Sequence, residues 1–419
     1  MVGVLLRFIR TCGFVMVVMG ASTALSAEPI RIGCSVALTG GFAAIGKQLM
    51  VAYQIWRDDV NAKGGLLGRP VELLCYDDQS NPSNAPSIYT KLIDLDKVDL
   101  IVGPYGTNIV AAALPVIMQH QMTTIGLLAN AANSQFHYQR YFAMIPSGPE
   151  PKKSFSTGFL ELARAQNPRP QTIALIGADG EFSQNALDGA RANVKEMGFT
   201  VVHDRNYPPS TTDFAPIIRA VKATNPDILY VAATPPDSVG IARAADEIGL
   251  NVKMFGGSLL GLIVTAVKVQ LGPALNGIVN VETFLPAPKF IFPGTRELLD
   301  KYAAIAPGQG LDPLGYSFPP FAYAAGQVLA AAVTATNSLD HEKIAAYIHT
   351  NTFNTVIGEV TFGKDGEWAK ERTVAVQYRD VLPNNLDQFR DTAHEPILWP
   401  PEFKSGDIIY PYSEARKKH

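Results

Sequence analysis

The stretch with the clearest chemical potential is residues 102–108, Val-Gly-Pro-Tyr-Gly-Thr-Asn. It follows an apolar, strand-like run at residues 98–102 and precedes a helical run, rich in Ala and Leu, from Ile109 to about His120. A helix that starts directly after such a loop leaves its first backbone N–H groups without partners. Those donors and the positive end of the helix dipole favour an anion. We therefore predict that this loop holds a small anionic ligand. The alternative is that Thr107 or Asn108 only caps the helix.

A second glycine-rich stretch comes close to a nucleotide-binding motif. Residues 41–47 fit the pattern G-x-x-x-x-G-K, which cradles phosphate when Ser or Thr follows it. Here Gln48 follows, so the hydroxyl that would reach Mg²⁺ is missing. We interpret the glycines as a tight turn that lets the chain approach a ligand closely, and not as an ATP site.

Signals for catalysis or metal binding are scarce. Neither the G-x-S-x-G nucleophile elbow nor the H-E-x-x-H zinc motif occurs in the sequence. The seven histidines have no ligand-like spacing, and adjacent Asp77 and Asp78 favour a turn over an acid–base pair or a metal site. Cys34 and Cys75, with no histidine cluster, make a poor metal site. The sequence predicts a protein that is not an enzyme and needs no cofactor or metal.

Composition and charge narrow the range of partners. The 419 residues are 47% hydrophobic, which allows two or three domains with large cores. The 35 Lys and Arg residues nearly balance the 38 Asp and Glu residues. No long basic run appears before the extreme C-terminus, so we expect no nucleic-acid partner.

The N-terminus has the layout of a secretory signal peptide over residues 1–27. Arg7 and Arg10 precede a short apolar core at residues 11–20, and small residues follow at 24–27. This core is too short for a good membrane span, although a retained membrane anchor is the alternative. We therefore expect export to the periplasm. There Cys34 and Cys75 either form a disulfide or stay as buried thiols.

Strand-like and helical runs alternate along the rest of the chain. Five predicted strands precede residue 149, near residues 30–38, 70–76, 98–102, 123–128 and 141–146. Helical stretches separate the first four, and a polar loop at residues 129–134 follows the fourth. A second series of similar size starts near residue 149. Such alternation predicts an α/β fold with parallel sheets and helices on both faces. Two series predict two lobes, with a binding cleft between them that the strand-end loops face. Residues 396–419 are predicted to be an irregular tail that packs on the surface of one lobe.

Several short segments occur together in an order and spacing that is specific. They are residues 38–40 (Leu-Thr-Gly) with Gly46, 59–69 (Asp-Val-Asn-Ala-Lys-Gly-Gly-Leu-Leu-Gly-Arg), 76–82 (Tyr-Asp-Asp-Gln-Ser-Asn-Pro), 102–105 (Val-Gly-Pro-Tyr), 207–209 (Tyr-Pro-Pro) with 212–214 (Thr-Asp-Phe), and 225–227 (Asn-Pro-Asp). In these segments the chain resembles the periplasmic leucine/isoleucine/valine-binding protein family, the solute-binding subunits of ABC importers. The resemblance implies the type I periplasmic-binding fold, with two Rossmann-like lobes, parallel sheets, a hinge of three crossovers and a ligand cleft between the lobes.

The resemblance also implies boundaries and partners. The N-terminal lobe would comprise residues 28–148 and 284–358, and the C-terminal lobe residues 149–283 and 359–395. A monomer would close its lobes on a small carboxylate-bearing ligand and deliver that ligand to an inner-membrane ABC permease. The same fold also serves ligand sensors that dock on a regulator or receptor, and a secreted enzyme is a further alternative.

Ligand-binding positions are carried over from the family residue by residue. Hydroxyl and backbone groups of the first lobe would hold the ligand's carboxylate, and the second lobe would close over it. The first-lobe positions are Ile45, Tyr105, Gly106, Thr107, Leu128, Ala129 and Asn130, and the second-lobe positions are Phe182, Thr234 and Ser258.

Ser258 marks a departure from the family. Amino-acid binders carry an acidic residue at this position, which pairs with the ligand's ammonium, but residues 255–260 contain no acid. At Thr234 an aromatic hydroxyl common in the family is also absent. A buried ammonium without an anionic partner is costly. We therefore hypothesise a small organic acid with an apolar or aromatic body as the ligand. Asp179 or Glu181 supplying the missing charge is the alternative.

Overall fold

The computed structural model describes residues 28–417, so the predicted signal peptide lies outside the described residues. Strands and helices alternate through most of the chain. The strands are β1 (Ile30–Val36), β2 (Val71–Asp77), β3 (Leu100–Ile101), β4 (Thr124–Leu127), β5 (Tyr141–Met144), β6 (Thr172–Ala178), β7 (Thr200–Tyr207), β8 (Ile228–Ala233), β9 (Met254–Leu259), β10 (Val279–Glu282), β11 (Thr352–Thr355), β12 (Gly358–Thr361), β13 (Val374–Gln377) and β14 (Ile397–Trp399). The helices are α1 (Ala43–Ala62), α2 (Ala85–Thr90), α3 (Thr107–Gln119), α4 (Pro151–Arg164), α5 (Glu181–Met197), α6 (Ala215–Ala223), α7 (Pro235–Glu247), α8 (Thr265–Leu271), α9 (Thr295–Ile305), α10 (Pro319–Thr336), α11 (His341–Thr350) and α12 (Tyr412–Ala415).

The first lobe is built on five parallel strands. β1 pairs with β2 and β3, and β4 pairs with β5. Backbone hydrogen bonds of 2.9 Å from Gly103 to Ile125 and from Leu127 to Pro104 join the chain after β3 to β4. The loop that follows β3 therefore lies at the edge where β4 ends, which is where ligands bind in open α/β sheets.

The second lobe contains a seven-stranded sheet in the order β14-β13-β10-β9-β8-β6-β7. Strands β6 to β10 run parallel, and β13 and β14 add antiparallel pairs at one edge. The predicted α/β fold with two lobes and mainly parallel sheets is confirmed. The C-terminal tail packs on the second lobe, as expected, with the Tyr412 and Phe255 ring centroids 5.7 Å apart, but it is not wholly irregular, because Ile397–Trp399 form β14 and pair with β13.

The chain passes between the two lobes three times, after β5, after β10 and after β12. The first and third crossovers are joined to each other. Arg372 N donates to Pro146 O at 2.9 Å, and Ser147 Oγ donates to Glu367 Oε2 at 3.3 Å. These bonds tie two of the three connecting segments into one hinge. The residue boundaries of the lobes remain a prediction.

The core of the first lobe joins segments that are far apart in sequence. α1 buries Tyr53 and Trp56 on one face, and α10 packs against that face. Gly326 of α10 lies so close that an added Cβ would come 2.3 Å from the Trp56 ring. Glycine is required there because any side chain would push the two helices apart.

A disulfide joins Cys34 and Cys75, for which the sequence allowed either a disulfide or two buried thiols. Cys34 and Cys75 are register partners on β1 and β2, with Cα atoms 4.5 Å apart. Of the two alternatives, the structure has the bonded one. Among residues 28–417, no helix is both long and apolar enough to cross a membrane.

Candidate functional site

The site begins at the start of α3. Gly106 precedes the helix with φ of +83°, a conformation that L-residues with side chains rarely adopt. The first helical hydrogen bond runs from Val110 N to Gly106 O, so the N–H groups of residues 107–109 have no partner within the helix. Three free donors at the positive end of a 13-residue helix form an environment suited to an anion.

Thr107 adds a hydroxyl donor at the same point. Its Oγ1 accepts a hydrogen bond from Asn130 N at 2.9 Å, and the side chain is buried. Because this bond uses an oxygen lone pair, the hydroxyl hydrogen stays free to donate to an acceptor in the cleft. The loop after β4 therefore orients Thr107 as a donor.

The second lobe meets this region through the first turn of α5. Phe182 N donates to Asn108 Oδ1 at 2.9 Å, and Asn185 Nδ2 donates to Asn130 O at 3.2 Å. Gln135 Nε2 donates to Glu181 Oε1 at 2.7 Å. These three bonds cross from one lobe to the other, so the two lobes are closed on each other.

Two small adjoining cavities lie in the closed cleft, each of about 30 Å³. They share Tyr105, Leu128, Phe182 and Leu260 as lining residues. The first is completed by Phe42, Gly106, Thr107, Asn108, Ile109, Thr234 and Pro235, and the second by Ile145, Phe155, Ile263, Thr283 and Phe318. No charged side chain of the described chain lines either cavity. Because this volume holds little more than a water molecule or two, a ligand enters only when the lobes part.

Aromatic rings dominate the cleft walls. Tyr105 packs edge-to-face on Phe42 and on Phe318, with ring centroids 6.1 and 6.2 Å apart, and Phe155 packs on Phe182 at 5.9 Å. Burial raises the pKa of the Tyr105 phenol well above its usual range, so that phenol stays neutral. The walls can enclose an apolar or aromatic body.

The hydroxyl of Thr234 is arranged to accept a hydrogen bond in the cleft, whereas the hydroxyl of Thr107 is arranged to donate one. It precedes α7, and its Oγ1 donates to Asp237 Oδ2 at 3.2 Å. Tyr207 Oη donates to the same carboxylate oxygen at 3.2 Å, and burial raises the pKa of Asp237. With its hydrogen used by Asp237, the Thr234 hydroxyl is left to accept a hydrogen bond in the cleft.

Six of the ten residues predicted to bind ligand lie around the two cavities. They are Tyr105, Gly106, Thr107, Leu128, Phe182 and Thr234. Residues at the ends of β3, β4 and β8 and at the start of α5 thus come together, as the parallel sheets require.

The other four predicted residues do not line the cavities. Ile45 points into the core from the first turn of α1, and Ala129 is fully buried behind the loop. Asn130 contributes only backbone bonds, while its buried side-chain amide has no hydrogen-bond partner in the described chain. Ser258 Oγ lies 3.0 Å from Tyr230 Oη, inside the lobe, and Leu260 reaches the cavity instead.

The acidic alternatives also lie elsewhere. Asp179 is exposed and accepts a hydrogen bond from Gln184, and Glu181 is engaged by Gln135 of the other lobe. Neither lines a cavity. Within residues 28–417, no group of three or more His, Cys, Asp or Glu side chains comes together in a way that could hold a metal ion.

Several lining residues were missed by the sequence reasoning. Phe42 lies in the glycine-rich stretch at residues 41–47, and Asn108 lies directly beside the predicted residue Thr107. Ile145, Thr283 and Phe318 come from the crossovers and from the start of α10. For these three the sequence carries no local signal, because only the tertiary fold brings them to the cleft.

Comparison with known proteins identifies the family to which the chain belongs. The family model described as periplasmic binding protein matches residues 29–380. The chain is 24% identical over 381 residues to "Leu/Ile/Val-binding protein homolog 2" of Brucella abortus (strain 2308), covering 90% of this chain and 98% of that protein.

Solved structures share the fold. One is the branched-chain amino acid transporter substrate binding protein LivJ from Streptococcus pneumoniae in complex with isoleucine, with a TM-score of 0.70, 18% identity, and 89% of this chain and 100% of that chain covered. Another is an ABC transporter solute binding protein from R. palustris in complex with 4-hydroxybenzoate, with a TM-score of 0.70, 18% identity, and 85% and 96% covered. Structures similar to this chain thus hold an amino acid in one case and an aromatic acid in the other.

Proposed function

The chain belongs to the periplasmic binding protein family, and we propose that it binds a small organic acid with an apolar or aromatic body between its lobes. In this proposal the protein works in the periplasm as a monomer, catalyses no reaction, and delivers its ligand to an inner-membrane ABC permease. The role of the permease is supported by similar structures that are named as ABC transporter substrate-binding or solute binding proteins. Lobe closure would be the signal that the permease reads.

The start of α3 supports an anionic end for the ligand. Residues 107–109 line one cavity, and they offer three N–H groups without a partner in the helix and the Thr107 hydroxyl as donors. Four donors, in a cavity that no acidic side chain lines, stabilise a carboxylate much better than an amide, because charge-assisted hydrogen bonds are about twice as strong as neutral ones.

The uncharged lining is the observation that carries the ligand class. A ligand with an ammonium group would bury that charge against side chains such as Leu128, Leu260 and Phe182, which offer no counter-charge. Such burial is costly. The lining therefore favours an acid without an amino group over an α-amino acid.

The second cavity and Thr234 support a body with a preferred orientation. Ile145, Phe155, Ile263 and Phe318 surround the part of the cleft away from α3, so an apolar or aromatic group fits there. The Thr234 hydroxyl, which already donates to Asp237, is placed to accept a hydrogen bond from a ligand hydroxyl. An aromatic acid with a hydroxyl group satisfies all three features.

The test compares ligands that differ in one group. The protein without residues 1–27 is titrated calorimetrically with 4-methylpentanoate, with leucine, which adds an ammonium, and with 4-methylpentanamide, which lacks the charge. Benzoate, 4-hydroxybenzoate and benzamide form a second set. Thermal melts provide a check, since ligand at about 100 times its dissociation constant adds about 2.7 kcal/mol to stability.

We expect at least one carboxylate to bind at least tenfold more tightly than its amide and than leucine. Submicromolar binding of leucine would refute the proposed ligand class. Equal binding of acids and amides would refute the assignment of the carboxylate to α3.

A further inference from the structure

A larger cavity lies away from the cleft, beside the second and third crossovers. Its volume is about 580 Å³, within the range of small-molecule sites. Four segments line it: residues 289–293, the β11–β12 hairpin, residues 368–372 of the third crossover, and residues 402–403 after β14. The cavity shares no lining residue with the cleft cavities, so it is a separate space.

Charges of both signs line this cavity without pairing. The cations are Lys289, Lys370 and Arg372, and the carboxylates are Glu359, Glu371 and Glu402. None of the six takes part in an ion pair with any residue between 28 and 417, although many exposed charges elsewhere in that range do. Unpaired charges of opposite sign around one space complement a molecule that carries both signs.

Arg372 provides the best-defined cation. Its guanidinium lies between the rings of Phe292 and Trp368, at 5.3 and 5.0 Å from their centroids, and donates to Ile357 O. Its Nε is buried and has no hydrogen-bond partner in the described chain, and the same holds for Trp368 Nε1. Burial lowers the pKa of Arg372 to about 10, which still leaves it charged at neutral pH. A carboxylate placed here would compensate a charge that the protein leaves uncompensated.

Aromatic walls complete the cavity. Phe292, Trp368 and Phe403 line it, and Phe403 is held against Phe290 with ring centroids 5.0 Å apart. Rings of this kind accommodate an apolar or aromatic side group. Glu359 and Glu402 are exposed, so they stand where an ammonium group would remain partly in water. Glu371 accepts a hydrogen bond from Thr373 Oγ1 at 2.6 Å, and desolvation raises its pKa to about 7.

We propose that this cavity is a second ligand site, which binds a zwitterion of the amino-acid type with an apolar or aromatic side group. Its carboxylate lies at Arg372, its ammonium faces the glutamates, and its side group packs on the aromatic walls. The site is the chemical opposite of the cleft, whose lining bears no charge. It does not depend on the function proposed for the cleft.

The test reads the site through Trp368. The chain has three tryptophans, so 5-fluorotryptophan labelling gives a simple ¹⁹F NMR spectrum, in which Trp368→Phe identifies the signal. The probes are L-phenylalanine, 3-phenylpropanoate, which lacks the ammonium, and 2-phenylethylamine, which lacks the carboxylate. The signal of Trp56, buried beneath α10, is the internal control.

We expect L-phenylalanine to shift the Trp368 signal saturably, at concentrations at least tenfold lower than either other probe. Glu359→Gln and Glu402→Gln should each weaken this binding about three- to tenfold and leave the affinity for 3-phenylpropanoate unchanged. Glu247→Gln, an exposed glutamate on α7 outside any ion pair of the described chain, is the matched control and should change nothing.

Three results would overturn the proposal. They are a Trp368 signal that does not move with 10 mM L-phenylalanine, equal responses to the three probes, and glutamate variants that behave like Glu247→Gln. None of these results bears on the cleft, whose ligands are measured separately by calorimetry. All three substituted glutamates are exposed, so the variants are expected to fold.

Discussion

Asn108 Oδ1 accepts a hydrogen bond from the backbone N–H of Phe182 at 2.9 Å, and this bond joins the starts of two helices that belong to different lobes. Asn108 lies in the first turn of α3, next to Thr107, and Phe182 lies in the first turn of α5. The side chain of one lobe therefore satisfies a free helix donor of the other. The proposed anion site and this contact between the closed lobes are thus built from adjacent residues.

Removing this contact should shorten the lifetime of the closed state. Asn108→Ala loses a hydrogen bond worth about 0.5–1.5 kcal/mol, so we expect ligand to dissociate about three- to tenfold faster with little change in association. Stopped-flow measurement of both rate constants is the check. Asn351→Ala, which removes a side-chain donor to Tyr347 O on α11, is the control. Unchanged dissociation in Asn108→Ala would show that the bond does not stabilise closure.

The hydroxyl of Thr107 should matter more than its methyl group. Thr107→Ala removes a donor to a charged group, which costs about 1.5–3 kcal/mol, or about 10- to 100-fold in affinity. Thr107→Ser keeps the hydroxyl and should stay within about threefold of the original protein. Calorimetry with the tightest-binding carboxylate measures both variants. A serine variant as weak as the alanine variant would point to packing rather than hydrogen bonding.

The disulfide should stabilise the first lobe without shaping the ligand site. The bond closes a loop with a sequence separation of 41 residues, for which chain entropy predicts about 4 kcal/mol. Cys34→Ala combined with Cys75→Ala should lower the free energy of unfolding in urea by about that amount and leave ligand affinity nearly unchanged. A reducing agent should bring the original protein down to the level of the variant, which itself should not respond. Equal stability of both proteins before reduction would contradict the prediction.

Glu367 should make stability fall as pH rises. Burial raises its pKa from 4.5 to about 8, with only the Ser147 hydroxyl as a hydrogen-bond donor. Between those values the folded protein binds more protons than the unfolded chain, so its free energy of unfolding decreases with rising pH and levels off above about pH 8.

Urea unfolding from pH 5 to pH 8.5 tests this linkage. Glu367→Gln should flatten the profile, by up to about 1.4 kcal/mol per pH unit, and Glu247→Gln should not. A Glu367→Gln profile parallel to that of the original protein would mean that another group causes the slope, such as buried Glu282, whose pKa is also raised by burial.

The architecture could be predicted from local patterns, because alternating strands and helices fix a parallel α/β arrangement. The same logic places the loop after β3, with Thr107 at the start of α3, at the edge of the sheet. The surroundings of Ser258 could not be predicted in this way. They depend on the register of β9 in the sheet, and in that register Ser258 Oγ lies 3.0 Å from Tyr230 Oη.

The C-terminal segment shows the same limit. Residues 397–399 are too few to give a strand pattern of their own, and they become β14 only because β13 offers an unpaired edge. Phe318 and Thr283 reach the cleft from distant parts of the chain, so no local signal could have assigned them. In each case the position of the residue depends on a segment that is distant in sequence, and the local sequence does not identify that segment.

The close packing of Gly326 on Trp56 bears on how the protein is made. The apolar face of α1 leaves the ribosome long before its partner α10 is synthesised. Until then the nascent chain exposes an apolar surface that is prone to aggregation. Chaperones that bind the nascent chain, or translocation of the unfolded chain across the membrane, would protect this surface from aggregation during that interval. A chain that stops before Pro319 would stay without that cover for good.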